Sequence, residues 1–276
     1  NTWLTSDNVQ DALDEIYQRS VGECPSGYVC LNGSSPLALG DYVSYTPSSS
    51  SYTTDTTYTG YTSTQTINPS ELNLWRVIAI NQDGTVEVVS ENVSSTSIIF
   101  RGQTGYQNLV GYLNVLASQY ETSGITVGSR HMGYDSTTTT EYITDASQFT
   151  NPAPWTCSTG GSCNPVESQG GGDAGYLTDY NLVYNVLGTR VATNPSGTAS
   201  SYWLASRYYK YSSSTSYYWY VRFVLTSGGS SSYLYCYFGS SFCTLYNSYA
   251  LRPILTLSSG LSYTGSGTSA DPWVIQ

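Results

Sequence analysis

The sequence predicts an α+β domain, and three observations carry that reading. Two long stretches place apolar residues at helical spacing, several runs of β-branched and aromatic residues follow strand patterns, and the connecting segments are rich in Gly, Ser and Thr. A chain of 276 residues is long enough to bury a sizeable core. We divide it into an N-terminal appendage, residues 1–35, and a main domain, residues 36–276.

The elements follow in order. Val9, Leu13, Ile16 and Tyr17 recur at helical spacing behind Asp7, which caps the first turn while Gln10 reaches back to it. This is a short amphipathic N-terminal helix, its acidic face either solvated or docked on a neighbouring subunit. Thr46 to Thr66 is almost all Ser, Thr and Tyr and lacks apolar residues for a core of its own, so it reads as a long exposed loop or an edge hairpin. Leu74 to Ile80, a turn containing Gly84, and Thr85 to Ser90 form a β-hairpin signature. From Tyr106 to Tyr120, Leu109, Val110, Leu113, Leu116 and Ala117 repeat at three and four, with Gly124 as the stop. A second helical pattern runs from Tyr176 to Leu187 through Leu177, Tyr180, Val183 and Tyr184, ended by Gly188. Beyond Ser200 the pattern turns to strands: Tyr202 to Arg207, Tyr217 to Leu225, Ser232 to Phe238, and Leu251 to Leu257.

Composition narrows the functional classes. Charged residues make up 10% of the chain, against roughly 25% in ordinary soluble proteins, so the surface works through hydroxyls, amides and rings. Nine Lys and Arg against nineteen Asp and Glu give a net charge of -10, and no basic run offsets it; nucleic acid is not an expected partner. No apolar run is long enough to span a membrane. The start at Asn1 rather than Met leaves room for a leader or anchor removed ahead of it. Six cysteines fall into close pairs, Cys24 with Cys30, Cys157 with Cys163 and Cys236 with Cys243, in segments without His, which favours disulfides over metal without fixing the connectivity. That places the protein outside a reducing cytosol, in an extracellular or cell-surface setting.

General acid–base and metal chemistry need clustered His, Cys or carboxylates, and the chain has the single His131 and no metal-ligand spacing. No catalytic residue, metal or cofactor is expected. Ser269-Ala270-Asp271-Pro272-Trp273 offers one carboxylate, too few for a calcium loop.

The framework Tyr202-Trp203-Leu204-Ala205-Ser206-Arg207, Val221-Arg222-Phe223 and Ala250-Leu251-Arg252-Pro253-Ile254-Leu255 resembles the C-type-lectin-fold proteins that end in a W-L-x-S, V-R, R-P pattern. That group holds the formylglycine-generating-enzyme-like domains and the variable proteins of diversity-generating retroelements. The likeness begins near Leu74 and is best after Tyr202. It implies a C-type-lectin-like fold with two main helices, antiparallel strands and long loops over residues 36–276. In the variable proteins, templated mutation of adenines turns Asn codons near the C-terminus into codons for Tyr, Ser, Phe, Leu, Thr or Cys, whereas Lys and Trp are out of reach. The segment 202–249 holds twelve of the 28 tyrosines, interleaved with Ser. Carried over residue by residue, the resemblance implies a ligand-binding, hypervariable set at Tyr208, Tyr209, Tyr211, Tyr217, Tyr218, Tyr233, Tyr235, Tyr237, Phe238, Ser241, Leu245 and Tyr246, with Lys210 and Trp219 in the framework. The formylglycine-generating relatives use paired reactive cysteines near the C-terminus. Cys236 and Cys243 occupy that region, but no electropositive neighbour in the sequence lowers their pKa, so a disulfide or two separate thiols is the reading.

Apart from any family, Tyr combines a large contact area with few rotatable bonds and a versatile hydroxyl, which suits broad recognition. Strict alternation puts Tyr233, Tyr235 and Tyr237 on one strand face, expected to be exposed, and Leu234, Cys236 and Phe238 on the other. A single tyrosine often packs under a loop, but so many hydroxyls are hard to satisfy inside. The sequence therefore points to a non-enzymatic adhesion or recognition protein whose partner is a protein or glycan on another cell or virus. The alternative is a self-associating structural subunit of an extracellular filament or surface layer.

Overall fold

The hairpin predicted at Leu74 to Ser90 is the centre around which the first sheet assembles. A computed structural model describes residues 37–81, 84–127, 182–213, 216–237, 246–259 and 261–275. In chain order these form β1 (Tyr42–Ser44), β2 (Tyr52–Thr53), α1 (Thr56–Thr59), β3 (Thr66–Ile67), β4 (Leu74–Ile80), β5 (Val86–Ser90), β6 (Ile98–Arg101), α2 (Gly102–Ser118) and β7 (Ile125–Val127). The helical residues 182–187, here α3, come next. They precede β8 (Tyr202–Ser213), β9 (Ser216–Val224), β10 (Ser230–Tyr237), β11 (Tyr246–Tyr249), β12 (Ile254–Leu257), β13 (Tyr263–Thr264) and β14 (Trp273–Ile275). The described chain is mostly β with a few helices, compatible with the α+β class. The predicted N-terminal helix and the loop from Cys24 to Cys30 lie outside the described residues.

Seven strands make the first sheet, in the order β13-β14-β1-β4-β5-β12-β7. Alternation decides its two faces. Val43, Trp75, Val77, Val88, Leu255 and Leu257 are buried in the main core, while Ile78 and Val89 pack on the other side against Val183 of α3, with Leu182 and Leu187 beside them. A register shift between Val77 and Ala79 leaves Ile78 as the extra residue of a β-bulge. The Trp75 indole donates to the Tyr45 carbonyl at 2.9 Å, so its N–H is satisfied inside the core.

α2 covers the core side with Leu109, Tyr112, Leu113 and Leu116. The helix starts at Gly102, four residues before the expected Tyr106, because Gly102 at a φ of 62° turns the chain straight out of β6 into the helix. Apolar spacing marks only where a helix begins to bury residues, not where it starts. Gly124, at a φ of 78°, stands at the predicted stop. The second predicted helix is seen over 182–187, with Gly188 at a φ of 70° behind it; its expected first turn, 176–181, lies outside the described residues.

The segment from Thr46 to Thr66 is less exposed than its composition suggests. β2 and β3 pair as a small hairpin, with Tyr52 opposite Ile67, but α1 inside it packs on α2. Tyr58 stacks on Tyr112 with ring centroids 5.3 Å apart, the Asp55 amide donates to the Tyr112 hydroxyl at 2.7 Å, and Thr54 and Thr59 are buried. Hydroxyls and rings borrowed from α2 replace the apolar core that the segment lacks.

The first and last described strands meet. β1 pairs with β14 in parallel, Val43 beside Trp273 and Ser44 beside Val274. The Asp41 carboxylate clasps the seam, accepting from the Ala38 amide at 3.0 Å and the Trp273 indole at 2.8 Å. One hydrophobic cluster runs from Leu37 to Trp273.

Candidate functional site

Three strands, β10-β9-β8, form a second antiparallel sheet. Its base is fixed by the framework residues. The Trp203 indole donates to the Ile98 carbonyl at 2.9 Å, with its ring edge-on to Phe100 at 5.5 Å and to Tyr249 at 4.7 Å. Tyr249 stacks in turn on Phe223 at 4.0 Å. On the other side, the Arg252 guanidinium donates to the Ser90 carbonyl at 3.0 Å and to the Tyr202 hydroxyl at 3.2 Å, while that hydroxyl donates to the Arg190 carbonyl at 3.0 Å. Val221, Arg222, Phe223 and Val224 are all buried. This end of the sheet is therefore held by the main core through Trp203, Val221 and Phe223 and by a second cluster of Val93, Ala192, Tyr202, Leu204, Val224 and Ala250.

Beyond that base, backbone register gathers the tyrosines. At successive β9 positions, Val221 lies between Arg207 and Tyr233, Tyr220 between Tyr208 and Leu234, Trp219 between Tyr209 and Cys236, and Tyr218 between Lys210 and Tyr237. Tyr217 pairs with Tyr211. Tyr208, Tyr209, Tyr211, Tyr217, Tyr218, Tyr233, Tyr235 and Tyr237 thus belong to one sheet. Tyr246 stands apart on β11, opposite Arg101 of β6. Phe238, Ser241 and Leu245 lie outside the described residues, as do His131 and all the cysteines except Cys236, which is placed on β10 by its backbone.

The expectation that Tyr233, Tyr235 and Tyr237 share one face needs correcting. A register shift falls between Leu234, opposite Tyr220, and Cys236, opposite Trp219, so Tyr235 is the extra residue of a bulge. Tyr233 and Tyr237 pair with Val221 and Tyr218, an odd number of positions apart, and the simple period of two does not run through the strand. β8 is shifted too, between Trp203 and Arg207 and again between Tyr211 and Ser213.

No protein family, curated protein or solved structure matches the chain.

What the arrangement does chemically must be read from its own residues. Register adds Tyr220, paired with Tyr208, to the tyrosines of this sheet, one that sequence reading passed over because it sits beside the Val-Arg-Phe framework. Its position midway along the run Ser216 to Val224 was the available signal. Among the described residues, no group of three or more His, Cys, Asp or Glu lies close enough to hold a metal ion, and no helix is long and apolar enough to cross a membrane. Asn92, within the sequon Asn92-Val93-Ser94, donates its side-chain amide to the Thr193 carbonyl at 3.0 Å.

Proposed function

We propose that this chain is a non-enzymatic, extracellular or cell-surface recognition protein of C-type-lectin-like fold, which binds a protein or glycan ligand through the Tyr/Ser-rich sheet β10-β9-β8. The single observation that carries this reading is the register that gathers tyrosines of three strands into one sheet, Tyr220 paired with Tyr208, Tyr218 with Tyr237 and Tyr217 with Tyr211, on a base held by Trp203, Phe223 and Arg252. A tyrosine-rich sheet anchored at its base suits recognition, since Tyr combines contact area with few rotatable bonds and so loses little ordering entropy on binding. The fold reading is supported by a hairpin, a long helix, a short second helix, a separate three-stranded sheet, and a last strand, β12, that returns to the hairpin strand β5. Hypervariability of the tyrosine positions is part of the same proposal and rests on the sequence framework alone.

The test is binding of the labelled full-length chain to panels of cells and virions, compared with a Tyr218→Ala/Tyr220→Ala/Tyr233→Ala variant. Binding by the parent, weakened on the order of tenfold or more in the variant with an unchanged melting temperature, supports the reading. Binding that ignores all three changes sinks it.

One observation favours the structural-subunit alternative. β10 is an eight-residue edge strand among the described strands and has neither Pro nor charge, the kind of edge that pairs with another chain. Regular polymers of the purified protein in light scattering and electron microscopy would favour that alternative; a discrete small species would remove it.

A further inference from the structure

Between Thr46 and Thr66 the chain carries 14 Ser and Thr in 21 positions, against 78 in 276 overall, with Pro47 near the front and Asp55 as the one charge. Tyr58 stacked on Tyr112, the bond from the Asp55 amide to the Tyr112 hydroxyl, and the buried Thr54 and Thr59 hold this segment to α2. The hydroxyls left outside gather at the two ends of the small hairpin. Ser48, Ser50 and Ser51 lead into β2, and Thr62, Ser63 and Thr64 lead into β3. All six are exposed and stand in irregular backbone, and their hydroxyls have no hydrogen-bond partner among the described residues. The sequon at Asn92, by contrast, is spent. Its side-chain amide donates to the Thr193 carbonyl at 3.0 Å and the Thr193 hydroxyl at 3.2 Å, Val93 and Ser94 are buried, and the Ser94 hydroxyl donates to the Thr96 carbonyl at 2.7 Å.

We propose that Ser48, Ser50, Ser51, Thr62, Ser63 and Thr64 form an O-glycosylation site, an inference that rests on the extracellular placement of the proposed function. A dense Ser/Thr run with Pro and almost no charge is the composition of O-glycosylated segments, and the structure adds that these hydroxyls are open to an enzyme and do no work in the fold. Soluble surfaces normally stay apart through charge, which this face lacks; attached sugar supplies a bulky hydrated cover in its place. The reaction needs a transferase and a sugar carried on a phosphate leaving group. The Ser or Thr Oγ attacks the anomeric carbon, the new Oγ–C bond forms as the bond from that carbon to the phosphate oxygen breaks, the phosphate departs with the electron pair, and the hydroxyl proton passes to a base of the transferase. Nothing is oxidised or reduced.

The experiment uses the full chain purified from the cells that produce it. Chymotryptic peptides covering residues 46–66 are weighed by mass spectrometry before and after alkaline β-elimination, and fragmented to place any added mass. A Ser48→Ala/Ser50→Ala/Ser51→Ala/Thr62→Ala/Ser63→Ala/Thr64→Ala variant made in the same cells is treated alike. The expected result is an excess of whole sugar residues that β-elimination removes, that maps to these six positions, and that is lost from the variant, whose melting temperature moves little because the changes are on the surface. Peptides at their sequence mass, sugar confined to other segments, or phosphate increments in place of sugar each overturn the inference. The cell-binding assay runs on the same samples. A chain that binds its cells while carrying no sugar overturns this inference and leaves the recognition reading standing, whereas a glycosylated chain whose binding ignores the tyrosine changes supports this inference and sinks that reading.

Discussion

Removing the indole of Trp203 takes away three things at once: the donor to the Ile98 carbonyl and the edge contacts to Phe100 and Tyr249. We expect Trp203→Ala to cost about 3–5 kcal/mol. Trp203→Phe, which keeps a ring but orphans a buried carbonyl, should cost about 1–3 kcal/mol, read as a lower urea midpoint with an unchanged slope. Tyrosines in the core make a second residue-scale prediction. Tyr45 donates to the Tyr120 carbonyl at 2.8 Å, and burial, with help from the charge of Glu121, pushes its pKa up to about 12. Burial also raises Tyr112, Tyr120 and Tyr263. A buried phenol is neutral when protonated, so the folded state holds its proton more tightly than the unfolded chain, where the pKa is about 10. Their contribution to stability is complete below about pH 10 and is lost as pH climbs toward 12. Urea midpoints should be flat from pH 8 to 9 and fall above roughly pH 10.5; a flat profile to pH 12 would refute the assignment. Trp203 was legible in the sequence as a framework residue, but its bond to Ile98, 105 positions away, was not, because nothing local encodes it.

At the scale of elements, the most demanding position is Gly60. It ends α1 at a φ of 64°, and a Cβ there would run into the Arg101 carbonyl oxygen at the start of α2. Gly60→Ala should therefore combine left-handed strain with overpacking, lowering stability by about 2 kcal/mol or more and loosening α1 from α2. Proteolysis near Thr59 together with the urea midpoint would reveal both. Strands and helices with internal periodicity, such as β4, β5 and α2, could be read from sequence because burial imposes period 2 or 3.6 on the residues themselves. Bulges could not. The extra residues at Ile78 and Tyr235 exist because a neighbouring strand sets the register, and that correction undid the single tyrosine face. α1 was missed for a related reason: its burial depends on Tyr112, a residue of another element.

For the whole molecule, pairings between residues far apart in the chain set the architecture. The return of β12 to β5, across more than 160 residues, pairs Leu255 with Val88 and Thr256 with Glu87. It sets β12 between β5 and β7 in the seven-stranded sheet. Such long-range pairing carries a loop-entropy cost and leaves no local mark, which is why the hairpin and the strand within Leu251 to Leu257 were legible and their pairing was not. β1 and β14 were equally silent, being only three residues each. Their parallel pairing has a mechanical consequence. Tension applied between the two ends of the domain pulls on the leading end of β1 and the trailing end of β14, so it loads their shared hydrogen bonds in shear. The Asp41 clasp lies across the same line of force, and the seam yields all at once instead of unzipping bond by bond.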